Sequence, residues 1–264
     1  MATKKKNEKK IVNITKEDTN TKEKYGKDKN NRIVKLEDKG DYKERAKKYR
    51  IGAIVLWVLA ICFEVIGILR LNNVINWFPN MEVMTFLIIC IILDLACFVP
   101  GSLLWKKANH IDPISEKDKT RFWLHNNLGT VLSVLAFLPM IIFILTNDEL
   151  DKKDKTIATV IAVIALLIAG VSSYDFNPVS SEQLDQAEKE VEAVGTKNSE
   201  GKYVVYWAPH SKKYHVKKDC PAFSQSETVY EGTVRQAFER NLTDPCRRCI
   251  PELKEDKHEH EKDS

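Results

Sequence analysis

Four residues near the carboxyl end have the types and spacing of a metal site. Cys246 and Cys249 form a Cys-x-x-Cys pair, which lets two sulfurs from one turn meet one ion. His215 and Cys220 lie close together in the chain and can supply the other two ligands. Zinc in structural sites favours four tetrahedral nitrogen and sulfur ligands. We therefore predict a structural zinc ion bound by these four residues.

Two other interpretations of these cysteines stay open, a thiol redox pair and thiols without any ligand. A redox motif should begin a helix after a strand in a larger α/β domain, which this segment does not resemble. Six cysteines divide into three in apolar segments and three near the carboxyl end, and an odd set suits a disulfide framework poorly. No spare acid or base is obvious nearby, so we expect a binding or scaffolding element rather than an enzyme.

Two acidic residues stand inside apolar segments that should cross a membrane. Glu64 and Asp94 lie near the middle of the first and second segments, which run antiparallel and so bring both acids to similar depth. An ionisable group there costs about 2.5–3.5 kcal/mol and marks a candidate functional site. The pair predicts a shared proton or cation site in a small transporter or ion-translocating subunit. The alternatives are a hydrogen bond from a protonated acid and an ion pair with Arg70.

A basic and aromatic surface is the third candidate site. It combines Lys212, Lys213, Lys217 and Lys218 with Tyr203, Tyr206, Trp207 and Tyr214. Stacking and positive charge together predict a surface that binds single-stranded nucleic acid or phosphates. In a small domain such aromatic residues usually form the core, which is the competing prediction.

A block of four apolar segments must carry or anchor these sites. The segments span residues 51–70, 83–105, 128–146 and 156–173. A hydrocarbon core about 30 Å thick needs roughly 20 helical residues, and backbone amides in lipid must bond within their own segment. We therefore predict a four-helix transmembrane domain over residues 43–175, surrounded by the lipid bilayer.

Basic residues beside these segments predict their orientation. The flank before the first segment and the connection between the second and third are rich in Lys and Arg, whereas residues 72–80 carry no charge. Basic flanks stay on the cytoplasmic side, so both termini are predicted to be cytoplasmic in a multi-pass protein of the cell membrane. A cytoplasmic carboxyl end would keep its cysteines reduced.

Charged residues, 30% of the 264-residue chain, are concentrated outside the apolar block. Residues 1–42 form a basic tail and residues 252–264 a second charged tail, and both are predicted to be disordered. Residues 178–201 are predicted to form a linker helix and a flexible joint, with a capping box at its start. Residues 202–251 are predicted to form a small α+β zinc-binding module. The fold class is therefore mainly α.

Finer patterns predict the elements of that module and the contacts of the last apolar segment. Residues 203–207 and 228–230 are predicted strands, and Thr233 is predicted to cap a short helix. A stripe of small residues on the fourth apolar segment predicts close helix packing. The stripe consists of Ala158, Ala162, Ala165 and Ala169.

The motifs of the carboxyl-terminal module are similar to those of a known family. Tyr-His-x4-Cys-Pro, Gly-Thr-x3-Ala-Phe and Pro-Cys-x-x-Cys-x-Pro follow one another within about fifty residues. This order resembles the Ada-type zinc-binding module of alkylation-repair proteins, which is also appended to bacterial nucleases and to membrane or surface proteins. The resemblance implies that Cys220, Cys246 and Cys249 are zinc ligands. His215 falls where the repair proteins place their methyl-accepting cysteine, and since an imidazole cannot serve as that acceptor, DNA repair is not implied.

A looser likeness concerns the apolar block. The sequence segments 104–112 and 173–178 resemble segments of four-helix membrane proteins of Gram-positive bacteria. This resemblance implies a bacterial source but no activity. We predict a multi-pass membrane protein that displays a cytoplasmic zinc-binding module to an unknown cytoplasmic protein partner. A small transporter and a membrane-tethered nucleic-acid binder are the alternatives.

Overall fold

The chain folds into two compact units. The computed structural model describes residues 10–13, 39–148, 150–198, 201–223, 226 and 228–250. One unit is Tyr42–Pro178, and the other combines Met1–Asp41 with Val179–Ser264. The tail predicted at residues 252–264 lies outside the described residues, as does most of the amino-terminal tail.

The first unit is built from helices. They are α1 (Lys39–Leu71), α2 (Val83–Ile111), α3 (Lys119–Asn126), α4 (Leu128–Thr146) and α5 (Lys152–Ser173). All except the short α3 are long and apolar enough to cross a membrane. The prediction of four membrane-length apolar helices is therefore confirmed, and these helices support a membrane protein.

Two of these helices extend beyond the predicted apolar segments. α1 begins at Lys39, inside the tail predicted to be disordered, and α2 continues to Ile111. The Arg50 guanidinium donates to the Asp112 carboxylate at 3.1 Å. A small apolar cluster joins the two extensions; it consists of Tyr42, Ala46, Ala108 and Ile111. Its apolar residues are sparse and surrounded by charge. Hydropathy alone therefore places the start of α1 too late in the chain and the end of α2 too early.

Small residues form the close contacts inside the bundle. Gly129 on α4 lies between Ser102 of α2 and Ser173 of α5, and a Cβ atom there would be 2.8 Å from Ser102 Oγ. In lipid, close packing of this kind is a main source of helix association. The predicted small-residue stripe of α5 is confirmed, since its alanines are at most 3% exposed: Ala158, Ala162, Ala165 and Ala169.

Buried polar contacts connect the last turns of α2 to the end of α5 and the residues that follow it. His110 Nε2 on α2 lies 3.2 Å from the carboxylate of Asp175, which follows α5, and both side chains are at most 10% exposed. The Lys106 ammonium donates to the Ser172 carbonyl at 2.6 Å. The contact of His110 with Asp175 joins residues 104–112 to residues 173–178. Their residue types therefore have a structural explanation within this bundle.

The second unit is a small α+β fold. Its helices are α6 (Ser181–Val194) and α7 (Val234–Glu239), and its strands are β1 (Lys10–Asn13), β2 (Thr196–Lys197), β3 (Tyr203–Trp207), β4 (Lys213–Tyr214), β5 (Thr228–Gly232) and β6 (Asp244–Pro245). One sheet has the order β1-β5-β3-β2, while β4 and β6 form a separate parallel pair. Both helices begin with the predicted capping boxes, at Ser180 and Thr233.

The helix predicted within residues 178–201 is present as α6, but its predicted role as a linker is wrong. Arg235 on α7 pairs with Glu188 on α6 at 3.1 Å. The apolar face of α6 lies in the core of this unit and consists of Leu184, Ala187 and Val191. The sequence shows this narrow face but does not reveal whether it covers the same chain or a partner. The module predicted at residues 202–251 therefore begins at Val179, and the name is used below for this larger unit.

The amino-terminal tail is not disordered throughout. β1 pairs in parallel with β5, with Lys10 opposite Thr228 and Asn13 opposite Glu231. The prediction of disorder over residues 1–42 is therefore wrong for these four residues. The average composition of the tail conceals an Ile-Val pair, and such β-branched residues favour strands where a neighbouring edge supplies backbone partners.

Candidate metal centre

Two parallel strands bring the predicted ligands together. β4 pairs with β6, and Tyr214 lies opposite Pro245. His215 follows β4 and Cys246 follows β6, so the parallel register places both ligands at the same end of the pair. The Cys246 N–H donates to the Tyr214 carbonyl at 2.8 Å. The sequence did not predict this strand pair, because each strand has only two residues.

Short turns position the remaining cysteines. The Cys249 N–H donates to the Cys246 carbonyl at 2.9 Å and closes the turn of the Cys-x-x-Cys pair. The Cys220 N–H donates to the Lys217 carbonyl at 3.4 Å, which bends the loop between the first two ligands. Both turns direct sulfur atoms from different parts of the chain toward one point.

His215 is fixed by contacts of its backbone and of its ring. Its backbone exchanges two hydrogen bonds with Tyr206 on β3, at 2.7 and 2.8 Å. The ring packs against Phe223, with 4.3 Å between the ring centroids. Phe223 belongs to a single 3-10 turn, Pro221–Phe223, that directly follows Cys220. The imidazole is therefore held toward the cysteines by contacts that do not require an ion.

The structure collects all four predicted ligands in one buried cluster. One donor atom from each side chain lies within 4.8 Å of the donor atoms of the other three. The four side chains are at most 8% exposed, and the three cysteines are free thiols. The cluster of His215, Cys220, Cys246 and Cys249 can therefore hold a metal ion.

The donor set and its spacing fit a tetrahedral zinc ion. A zinc–nitrogen bond of about 2.0 Å and a zinc–sulfur bond of about 2.3 Å place their donor atoms roughly 3.6 Å apart at the tetrahedral angle. Cys249 Sγ lies 3.6 Å from His215 Nδ1. Three sulfurs and one nitrogen fill four positions, as in structural zinc sites, whereas catalytic sites keep one position open.

Burial sets the protonation of the ligands. It lowers the pKa of His215 to about 4, and the charge of Lys213 adds to the effect, so the imidazole is neutral near pH 7. Burial also raises the pKa of the Cys249 thiol, and the neighbouring Cys220 and Cys246 reinforce this shift. Without an ion this thiol therefore keeps its proton, and a metal must displace it.

A backbone contact links the two loops that carry the ligands. A backbone hydrogen bond from Lys217 lowers the pKa of the Cys249 thiol, against the larger effect of burial. A hydrogen bond to the charged form of a group favours that form, so this amide stabilises the thiolate that a metal requires. The sequence does not predict this role of the Lys217 amide. Every residue except proline has a backbone N–H, and only the conformation of the loop decides where that N–H lies.

Glu64 and Asp94 belong to the other unit and lie inside its helical bundle. Glu64 is 5% exposed and Asp94 is fully buried by protein atoms alone. Three contacts give the register of the antiparallel helices α1 and α2: Gly52 with Leu104, Trp57 with Ser102, and Gly67 with Cys90. The same register brings Glu64 to the level of Asp94, in agreement with the predicted common depth.

The two acids have few polar partners. One oxygen of Glu64 and both oxygens of Asp94 are buried without a hydrogen-bond partner. The Arg70 guanidinium, which was one predicted partner, donates instead to the Met81 carbonyl at 3.3 Å. The predicted ion pair with Arg70 is therefore wrong, because the arginine is bound at the end of its helix.

The predicted basic and aromatic surface is only partly present. Its lysines are exposed or half-buried: Lys212, Lys213, Lys217 and Lys218. Three of its aromatic residues are at most 6% exposed and belong to the core: Tyr206, Trp207 and Tyr214. Bases cannot stack on buried rings. The predicted stacking surface is therefore wrong for these three rings, and the competing prediction of a core role is confirmed.

No protein-family model matches the chain, and no curated protein or solved structure is significantly similar to it. Fold and site together define a protein with four helices of membrane-spanning length and a buried His/Cys cluster able to hold a metal ion. The functional argument therefore rests on the geometry of that cluster and of the helices.

Proposed function

We propose that this chain is a multi-pass membrane protein whose module is a zinc-stabilised binding element. The observation that carries the proposal is the convergence of four buried donor atoms within 4.8 Å. Three buried thiols and a neutral imidazole match the ligands that zinc prefers. The motif resemblance to the Ada-type module supports three of these ligands, Cys220, Cys246 and Cys249.

The proposed role of the ion is structural. The two ligand loops are connected through a strand pair of only two residues on each side, and small domains commonly need a metal to hold such loops. Zinc binding would then contribute directly to the free energy of folding. With all four positions filled by protein atoms, the module acts by presenting its surface to a partner rather than by catalysis.

Metal analysis of the full chain purified in detergent tests this proposal. We expect about one zinc ion per chain, and loss of that zinc in Cys246→Ser. The matched control is Cys97→Ser, which changes a half-buried cysteine of α2 that lies outside the cluster. His215→Cys should retain the metal, since four thiolates also bind zinc tetrahedrally. Absence of zinc from the unaltered chain, or its full retention in Cys246→Ser, would refute the proposal.

We place both termini in the cytoplasm, as the basic flanks of the helices suggest. Reduced thiols in that compartment remain available as ligands. Protease digestion of sealed vesicles distinguishes the two orientations: a carboxyl-terminal epitope should be cleaved only in inside-out vesicles. Cleavage in right-side-out vesicles would contradict this orientation while leaving the metal site untouched.

A second candidate function is supported by the two acids in the bundle. Carboxyl groups with buried, unpartnered oxygens at one level of two adjacent helices are costly, and such groups commonly mark proton or ion pathways. On this basis the membrane unit is a small transporter or an ion-translocating subunit, with Glu64 and Asp94 as the groups that bind the ion.

Proton flux into proteoliposomes, reported by an internal pH-sensitive dye, tests this second candidate. Glu64→Gln and Asp94→Asn should each abolish the flux, because neither amide can release a proton. Glu82→Gln, which alters an exposed acid before α2, is the control and should leave it unchanged. No flux in the unaltered chain, or equal flux in all variants, would exclude this function for protons.

A further inference from the structure

Both ligand loops of the metal cluster carry adjacent positive charges. Lys217 and Lys218 lie between His215 and Cys220, and Arg247 and Arg248 fill the two positions of the Cys-x-x-Cys turn. All four cationic side chains are exposed, whereas the ligands beside them are buried. Each loop therefore directs its ligands inward and a pair of positive charges outward.

The contacts of the metal centre bring the two charged pairs together. Cys249, the residue directly after Arg248, has its sulfur 3.6 Å from Nδ1 of His215 in the other loop. Four donor atoms from the two loops also lie within 4.8 Å of one another. Because the loops meet at their ligands, the charges beside those ligands must lie on adjoining surface. The acids among residues 212–220 and 244–249 are Asp219 and Asp244, and Asp244 lies opposite Lys213.

We propose that these four residues and the two preceding lysines form a basic patch that binds anionic lipid headgroups of the surrounding bilayer. The patch consists of Lys212, Lys213, Lys217, Lys218, Arg247 and Arg248. The proposal rests on the proposed metal site, because the bound ion is what fixes the two loops against each other. Its ligand chemistry is the phosphate oxygen, which lysine and arginine side chains bind by charge and hydrogen bonds.

Two observations favour lipid over nucleic acid as the source of that phosphate. Three of the four aromatic residues named with the lysines are buried, and Tyr203 is half-buried, so the patch offers charge with little stacking surface for bases. Only residues 174–178 connect α5 to the module, and five residues span at most about 18 Å. That short connection keeps headgroups at high effective concentration, so that weak electrostatic attraction is sufficient.

Lysine acetylation of the full chain in nanodiscs tests the proposal. The reaction rate of each lysine is read by mass spectrometry in phosphatidylcholine nanodiscs and in nanodiscs that also contain phosphatidylglycerol. At low salt we expect Lys217 and Lys218 to react about fivefold more slowly in the anionic nanodiscs. High salt should remove the difference, since the Debye length falls to about 3 Å at about 1 M. Lys189, exposed on α6, is the internal control and should react equally in both.

A variant in the other loop tests whether the charges act as one patch. Arg247→Gln combined with Arg248→Gln should raise the rates at Lys217 and Lys218 in anionic nanodiscs, although no reacting lysine has changed. The control Lys189→Gln should have no such effect. Removal of the metal by a chelator should also reduce the protection, because the loops are then no longer held together.

Metal content is measured on the same preparations, which separates the two proposals. Zinc present with equal lysine rates in both lipids overturns lipid binding and leaves the metal site standing. Zinc absent together with equal rates overturns both. Protection by an added single-stranded oligonucleotide in phosphatidylcholine, without protection by phosphatidylglycerol, also overturns lipid binding and assigns the patch to nucleic acid. Protection that survives loss of the metal refutes the role given to the ion.

Discussion

His215 Nδ1 lies 3.6 Å from Cys249 Sγ, although 34 positions separate the two residues in the chain. The contact joins the end of β4 to the turn that follows β6. Both side chains are buried, at 4% and 2% exposure. This separation is compatible with two ligands of one metal ion, so the pair is positioned for a metal even though each residue is held by different backbone contacts.

The protonation of these ligands predicts how metal binding depends on pH. Burial raises the pKa of the Cys249 thiol, so the metal-free site binds a proton that the metal-bound site has lost. Metal affinity should therefore fall as pH falls from about 8 to about 6, on the order of tenfold per pH unit for each thiol proton released. His215 adds little over that range, because its pKa is lowered to about 4 and it is already neutral.

Competition between the full chain and a zinc chelator at several pH values measures this dependence. Cys62→Ser, which changes an exposed cysteine of α1, is the control and should show the same slope as the unaltered chain. A pH-independent affinity would mean that the thiols are already ionised without metal, contrary to the effect of burial.

The position of α6 predicts that its apolar face stabilises the module. Val191→Ala removes a fully buried side chain from the core and should destabilise the module by about 1–3 kcal/mol through lost burial and a cavity. Glu192→Ala changes the next, exposed residue and should have little effect. Hydrogen exchange of the β3 amides in the full chain measures the difference. Equal protection in both variants would restore the interpretation of α6 as a linker.

Two glycines of the bundle predict opposite effects of the same substitution. In Gly129→Ala the new Cβ would lie 2.8 Å from Ser102 Oγ and 3.0 Å from Ser173 Cβ, so helices must shift and stability should fall by about 1–3 kcal/mol. In Gly170→Ala the nearest atom is Ser133 Oγ at 3.6 Å, an ordinary contact. That variant should gain up to about 1 kcal/mol from the higher helix propensity of alanine. Thermal unfolding in detergent compares them, and equal changes would contradict the packing.

The buried pair of His110 and Asp175 predicts a measurable coupling between α2 and the segment after α5. A double-mutant cycle with His110→Ala and Asp175→Ala should give a coupling energy of about 1–3 kcal/mol, because each single change removes the same buried contact between the two side chains. The matched control is the exposed pair of Lys48 and Glu44, whose coupling should not exceed about 0.5 kcal/mol. Equal coupling in the two cycles would mean that burial does not strengthen the first pair.

The sequence predicted the four apolar helices of the membrane unit. It did not predict that α1 and α2 extend beyond their apolar segments. The apolar segments predicted membrane-length helices because lipid requires about 20 consecutive apolar residues, and that demand is local. The sequence also predicted the packing face of α5, since its alanines recur at three- and four-residue spacing along the helix. The helix ends did not follow, because Tyr42 and Ala46 are covered by α2 and only the fold reveals that cover.

The sequence by itself determined the identity of the four candidate ligands, since Cys-x-x-Cys and His-x4-Cys spacings confine donor atoms within short loops. Only the tertiary structure decided that the two loops meet, through the parallel pairing of β4 and β6 and the amide of Lys217 on Cys249. It also decided that α6 belongs to the module core. The physical reason is the same in each case: local spacing fixes what a side chain can bind, whereas contacts between distant segments depend on the whole packing of the chain.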